Sequence, residues 1–410
     1  MDKRYLIIIG IIAGLIAIGL IVFWVLYSRG SIAPTEIPFS GLFPSAAPKT
    51  PEEQIPQTPP PTTPPFTIHP GQKQALTQLT QKAVSGATFI EKIQPDKTKI
   101  ETVRYFEKAT GHIYDIDLQK GTSVRISNVT IPRIFEVHWS PDGEQAVIRY
   151  TENNDAGVTD TIRNFSIVSI GATSSASTHG TFLLSTISAI APSPKENKVF
   201  SMVPFEDTNI GVISSFEDKK QKQVLISPFG EWRVDWPSEK IITFLSKPSS
   251  VVGGYLYKLD PVSGSFERIL ANINGLTALY SPDGERILYS GSSADGLKTN
   301  IYIIKDKKTI PFNLDTLPEK CVWSALSKGV IYCAVPASLP AAAYPDNWYQ
   351  GLVSFYDKIW KIDTLSGVLS IISSENQPEF DAINLFLSKN ENYLFFQNKK
   401  DGTLWSIKLR

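Results

Sequence analysis

The chain has 410 residues, 40 of them basic and 40 acidic, so its formal net charge is zero. Hydrophobic residues make up 42%, aromatic 11% and charged 20%, the make-up of an ordinary globular protein. This excludes a largely disordered chain, a collagen-like chain and a small disulfide scaffold, and it argues against nucleic-acid binding through bulk charge.

The averages conceal three different segments. Residues 1–4 read as a cytoplasmic stub. Tyr5 to Tyr27 is a run without a charged side chain, and about 20 apolar residues span a bilayer core. It is therefore expected to be a transmembrane helix, uncleaved and single-pass. Lys3 and Arg4 precede it, which predicts an N-terminus inside and an extracytoplasmic C-terminal part. Ser31-Ile32-Ala33 would suit signal cleavage, but the apolar run exceeds the roughly 7–15 residues of a signal peptide. Gly10 and Gly14 form a GxxxG that could pair two such helices into a dimer.

Residues 28–71 read as a tether. Pro34 to Pro65 holds 11 prolines. Proline fixes φ and lacks a backbone donor, so neither helix nor sheet persists there. A polyproline II spacer is expected, with a reach on the order of 100 Å.

Residues 72–410 show internal repetition. Trp139-Ser140-Pro141-Asp142-Gly143-Glu144 recurs as Tyr280-Ser281-Pro282-Asp283-Gly284-Glu285. Looser copies begin at Gln94, Ser193, Trp236, Trp323 and Ser388, giving seven units with a basal period near 45 residues. A second marker runs in phase: His112-Ile113-Tyr114-Asp115-Ile116-Asp117, Tyr255 to Asp260, Asn300 to Ile304, Lys358 to Asp363 and Thr403 to Ile407. Each unit reads as four short alternating strands, A to D, bounded by Gly, Pro, Asp and Asn. The fold class expected is all-β: a seven-bladed β-propeller of four-stranded blades, preceded by one transmembrane helix and a Pro-rich linker. The seventh unit lacks a strand D, and residues 75–80 resemble one with nothing before it. That strand is expected to pair with the last blade and close the ring.

The Ser-Pro-Asp-Gly turns and the Ile-Tyr-x-x-Asp strands resemble the TolB-type, WD40-like propellers, over residues 86–410. The resemblance implies a propeller fold and a general tendency to bind proteins. TolB itself has six blades and an extra N-terminal domain, so its partners do not transfer to a tethered chain of seven units.

Linear motifs for catalysis are missing: there is no GxSxG elbow, Walker loop or dinucleotide fingerprint. His69, His112, His138 and His179 are scattered, so no metal and no cofactor is expected. Asp115, Asp117, Asp260 and Asp363 read as turn acceptors rather than an acid/base pair. Cys321 and Cys333 flank the sixth A–B turn. If Trp323 pairs with Ile331 they lie opposite each other, within disulfide reach, whereas a slip of one residue leaves two buried thiols.

Two intervals exceed the basal period. Both are assigned to B–C connections, through Thr151–Arg163 and through about Ala334–Asp357, which would decorate one face. The second contains Tyr344, Asp346, Asn347, Trp348 and Tyr349. Aromatics on a long loop suit protein contact, and beside Asp and Asn they suit a glycan. The alternative is that the rings pack the loop against its own blade. The reading is a protein-binding or scaffolding module of the cell envelope that is not an enzyme. The rival is a propeller enzyme, a lyase or glycoside hydrolase, or a glycan-binding module, acting on envelope polysaccharide.

Overall fold

The computed structural model describes residues 76–127, 129–153, 160–170, 179–293, 296–374 and 377–409. The stretches expected to form the stub, the membrane helix with its GxxxG and the tether, together with His69, lie outside the described residues.

The described residues form seven four-stranded antiparallel sheets. Strands A to D of blade 1 are Val84–Ile93, Lys99–Glu107, Ile113–Asp117 and Thr122–Arg125. Blade 2 has Ile134–Trp139, Ala146–Asn153, Asp160–Ser169 and His179–Leu183. Blade 3 has Ala189–Pro192, Lys198–Phe205, Thr208–Ser215 and Lys222–Ser227. Blade 4 has Trp232–Ser238, Ile241–Ser246, Gly253–Leu259 and Phe266–Asn274. Blade 5 has Thr277–Tyr280, Arg286–Ser293, Gly296–Ile303 and Lys308–Pro311. Blade 6 has Cys321–Trp323, Val330–Pro336, Asp357–Asp363 and Val368–Ile371. Blade 7 takes A, B and C from Ala382–Leu387, Tyr393–Asn398 and Leu404–Lys408. Its D strand is Leu76–Gln78, paired Leu76 to Ile407 and Gln78 to Trp405.

The A–B turns show why the Ser-Pro-Asp-Gly motif recurs. In blade 2, Ser140 Oγ donates to Asp142 at 2.5 Å and accepts from the Gln145 amide at 2.9 Å. Asp142 accepts the Glu144 amide at 2.9 Å. Gly143 sits at φ +70°, where a Cβ would lie 2.3 Å from Ile90. Blade 5 repeats the pattern with Ser281 and Asp283. The motif is a turn that satisfies its own donors and seats against the neighbouring blade. Asp117, Asp260 and Asp363 cap C–D turns by accepting amides two and three residues on. Asp115 differs from expectation: it is buried and grips Arg104 through both oxygens, at 2.9 and 3.0 Å. Arg104 also donates to the Gly143 carbonyl at 2.8 Å, which ties blade 1 to the turn of blade 2.

The core is a ring of apolar layers between blades rather than a single centre. Phe200, Met202, Trp236 and Phe244 fill the layer between blades 3 and 4. Leu288, Trp323 and Ile331 belong to the layer between blades 5 and 6, and Phe380, Phe396 and Tyr332 to that between 6 and 7. The N-terminal strand feeds the layers on either side of blade 7, through Leu76 and Leu79. The ring is continuous because this strand arrives from the other end of the chain.

The two long intervals resolve differently. In blade 2 the stretch 151–163 is mostly not a loop. The B–C hairpin extends to a pairing of Asn153 with Asp160. The residues between those two lie outside the described ones, as do 171–178 in the C–D connection. In blade 6 the connection is real and runs over residues 337–356, carrying one helical turn at Asp346–Tyr349.

Candidate functional site

The B–C and D–A connections share one face, here called the upper face, and strand A is the innermost of each blade. The blade 6 insertion lies on this face and is held from inside. Tyr344 and Trp348 are 1% and 3% exposed and cluster with Phe355, Leu297 and Leu317. Trp348 stacks on Phe355 at 6.0 Å and donates its indole N–H to Asp381 at 3.0 Å. These two rings therefore cannot meet a partner directly. A connection of this length needs a small core of its own, and they supply it. Asp346 accepts the Ser250 amide of the blade 4 B–C connection at 2.6 Å. Asn347 is half-buried, and its carbonyl closes the turn by accepting the Leu352 amide at 2.9 Å. Of the five residues expected at the contact, Tyr349 is the one left exposed, at 39%.

Beneath the insertion lies a charged group that the sequence did not reveal. Lys320 is fully buried, 2.8 Å from Asp357 and 2.5 Å from Asp381, both fully buried. Its ammonium also lies 5.2 Å from the ring centroids of Trp348 and Phe355. One lysine is shared by two carboxylates. Burial pushes Asp357 above its ordinary value, only partly opposed by Lys320. Burial would raise Asp381 as well, but Lys320, the Phe355 amide and the Trp348 indole together pull it below. Enclosed on all sides, the group anchors the insertion.

The second charged group opens into the channel. Arg233 of blade 4 pairs with Glu319 at 2.5 Å, and the Tyr349 hydroxyl hydrogen-bonds to both. The insertion of blade 6 thus reaches blade 4, with blade 5 between them. Deeper in, Asp235 is open to solvent yet enclosed by the channel. That enclosure raises its carboxyl against the pull of the Trp236 amide and Arg233. On blade 2, Glu136 lies 3.0 Å from His138 and 2.7 Å from Arg149. Burial would raise Glu136, but the two bases hold it down at about 2. Two cavities meet at His138: one of about 560 Å³ beside Glu136, Phe135 and Asn384, and one of about 280 Å³ beside Arg233, Asp235 and Glu319.

Apart from Arg149 on strand B of blade 2 and Tyr349 on the insertion, these channel residues come from strand A or from the connection leading into it. The signal available in the sequence was alternation: Glu136 and His138, and Arg233 and Asp235, are i and i+2 pairs on innermost strands. Cys321 and Cys333 pair opposite each other in blade 6, in register with Trp323 and Ile331, and their sulfurs are bonded. Among the described residues no group of three or more His, Cys, Asp or Glu side chains is placed to hold a metal ion.

The fold and its channel define a seven-bladed β-propeller. No family model and no curated protein matches the chain by sequence. Solved structures do match in shape. An oligogalacturonate lyase from Vibrio parahaemolyticus aligns with TM-score 0.52 at 8% identity, over 82% of this chain and 93% of that one. The β-propeller domain of the Trilobed protease from Pyrococcus furiosus aligns with TM-score 0.48 at 13% identity, over 78% and 96%. A puromycin-hydrolyzing peptidase of Mycobacterium tuberculosis aligns with TM-score 0.48 at 11% identity, over 78% and 51%. At such identities the likeness shows the fold alone. It nevertheless corrects one expectation. The exclusion of an enzyme rested on missing linear motifs, whereas an oligogalacturonate lyase shares this fold, and histidine, arginine and carboxylates line this channel. That exclusion does not stand.

Proposed function

We propose that the chain is a membrane-anchored, extracytoplasmic propeller of the TolB-type, WD40-like kind that binds an envelope partner on its upper face. The observation that carries this is a rim of exposed apolar side chains on that face. It includes Phe205 and Phe229 of blade 3 and its exit, Val251 of blade 4, and Leu352 and Tyr356 of the blade 6 insertion. Exposed aromatics and aliphatics gathered on one face are costly to leave in water and mark interaction surfaces. The test is crosslinking of the full chain in its native envelope, comparing wild type with a Phe229→Ser/Leu352→Ser/Tyr356→Ser variant. Loss of specific crosslinked products supports the reading, and an unchanged pattern removes this face.

The channel favours a second reading, an enzyme acting on envelope polysaccharide, because Asp235 and Glu136 have environments that push two carboxyls in opposite directions. Its test is product release from isolated envelope polysaccharide by the full chain, compared with Asp235→Asn and Glu136→Gln.

A further inference from the structure

The smaller channel cavity, about 280 Å³, combines an apolar wall with unsatisfied acceptors. Leu245, Leu256, Ala278 and Leu279 form part of the wall, and Arg233, Asp235 and Glu319 provide charge. Arg233 is already committed to Oε1 of Glu319 and to the Tyr349 hydroxyl. Oε2 of Glu319 is buried and has no partner. The carboxylate of Asp235 accepts the Trp236 amide through Oδ1, at 2.8 Å, and among the described residues no other hydrogen bond to that carboxylate is seen.

Charge balance gives the sign of the missing group. Among the groups lining the cavity, Arg233 and Glu319 cancel, which leaves the carboxylate of Asp235 without a cation paired to it. The free carboxylate oxygen of Asp235, open to the cavity beside its apolar wall, calls for a donor. We propose that this cavity binds a protonated amine on a short apolar stem, with the ammonium donating to the carboxylate of Asp235. The stem lies along Leu245, Leu256 and Leu279. An ammonium carries three donors and no acceptor, which suits the free carboxylate oxygen of Asp235 together with water. An anion would meet uncompensated negative charge. The volume is at the small end of ligand sites, which suits a single ring or a short chain. The same chemistry is offered by a free small amine and by a lysine side chain of a polypeptide. This inference does not depend on the rim reading, since it concerns the channel interior.

The test uses the full chain and isothermal titration with four probes: benzylamine, benzyl alcohol, benzoate, and Nα-acetyl-lysine methylamide, whose ε-amine is free. One or both amines should bind saturably, and the alcohol and benzoate should not. Benzylamine alone binding points to a free amine, and the lysine derivative alone to a polypeptide source. Asp235→Asn, isosteric and solvent-open, should weaken amine binding by about tenfold or more. Ala278→Leu, which fills the apolar wall without touching a charge, should weaken it too and serves if the first variant does not fold. Saturable binding of neither amine, equal binding of benzyl alcohol, or amine affinity unchanged in a folded variant would overturn the proposal.

Discussion

Arg233 of blade 4 and Glu319, in the connection leading into blade 6, pair at 2.5 Å with a whole blade between their strands. Glu319 is held in place by its neighbour, Lys320, which is locked beneath the insertion. Tyr349 adds a hydroxyl to the pair and its ring to Arg233, 5.5 Å from the guanidinium. The contact closes one side of the channel mouth. Half-exposed ion pairs are worth at most about 1 kcal/mol, so Tyr349→Phe should scarcely change global stability. It should instead speed amide exchange over residues 347–353, measured by hydrogen-exchange mass spectrometry, with the blade 4 strands unaffected. Unchanged exchange there would show that the hydroxyl does not latch the insertion.

Lys320 should be costly to lose. Lys320→Met leaves Asp357 and Asp381 buried without their cation, and breaking such a group costs about 3–5 kcal/mol. The two carboxylates should not be equivalent. Asp357, pushed up by burial and with one oxygen unpartnered, should tolerate Asn well. Asp381 accepts from Lys320, Trp348, Ser354 and the Phe355 amide, so Asp381→Asn should cost more. Urea unfolding of the three variants gives the order directly, and Asp357→Asn proving the worst would reverse the assignment.

The repeat was legible because its determinants are local. Ser140, Pro141, Asp142 and Gly143 build a turn within four residues, and the phase of Asp117, Asp260 and Asp363 reflects another. The site was less legible because its determinants are distant. Arg233 and Glu319 meet only through the ring, and nothing near either of them in sequence indicates the other. The aromatic run from Tyr344 to Tyr349 drew attention to the right loop but misassigned two of its rings. A segment of some twenty residues outside the sheets must bury apolar surface to stay folded, and Tyr344 and Trp348 do so, leaving Tyr349 outside.

Glu136 gives a pH signature. Its carboxyl is held at about 2 in the folded protein, against 4.5 as the ordinary value. A depressed folded-state pKa contributes stability that is present above the ordinary value and is lost as pH falls through the folded one. The contribution is therefore complete above about pH 5 and fades between about 4.5 and 2. Glu136→Gln should unfold at lower urea than wild type near neutrality, with the difference shrinking across that window. A difference that stays constant down to pH 2 would show that Glu136 is not held by charge.

The Cys321–Cys333 bond closes a short loop, with a sequence separation of 12. Loop-closure entropy for a loop of this size amounts to about 3 kcal/mol. Cys321→Ala/Cys333→Ala should lose about that much, and wild type under strong reductant should approach the variant. Alkylation of the native, unreduced protein followed by intact mass should show no added label. Two labels would mean free thiols.

Ring closure depends on three residues from the far end of the propeller sequence. Leu76, Thr77 and Gln78 pair along Trp405–Ile407 as the outer strand, Leu79 and Thr80 extend the contact by donating their amides to the Leu404 carbonyl, and Leu76 also packs into the layer between blades 6 and 7. Replacing the three by Pro-Gly-Pro removes donors and side chains together. Leu404–Lys408 then becomes an open edge carrying Leu404, Trp405 and Ile407, a template for pairing with another chain. The altered protein should melt earlier and associate with concentration in sedimentation velocity, in a detergent that keeps the parent chain dispersed. A synthetic peptide of residues 72–83, added in excess, should reverse both effects by filling the vacant strand position. If melting and association match the parent chain, the N-terminal strand is not what holds the ring shut.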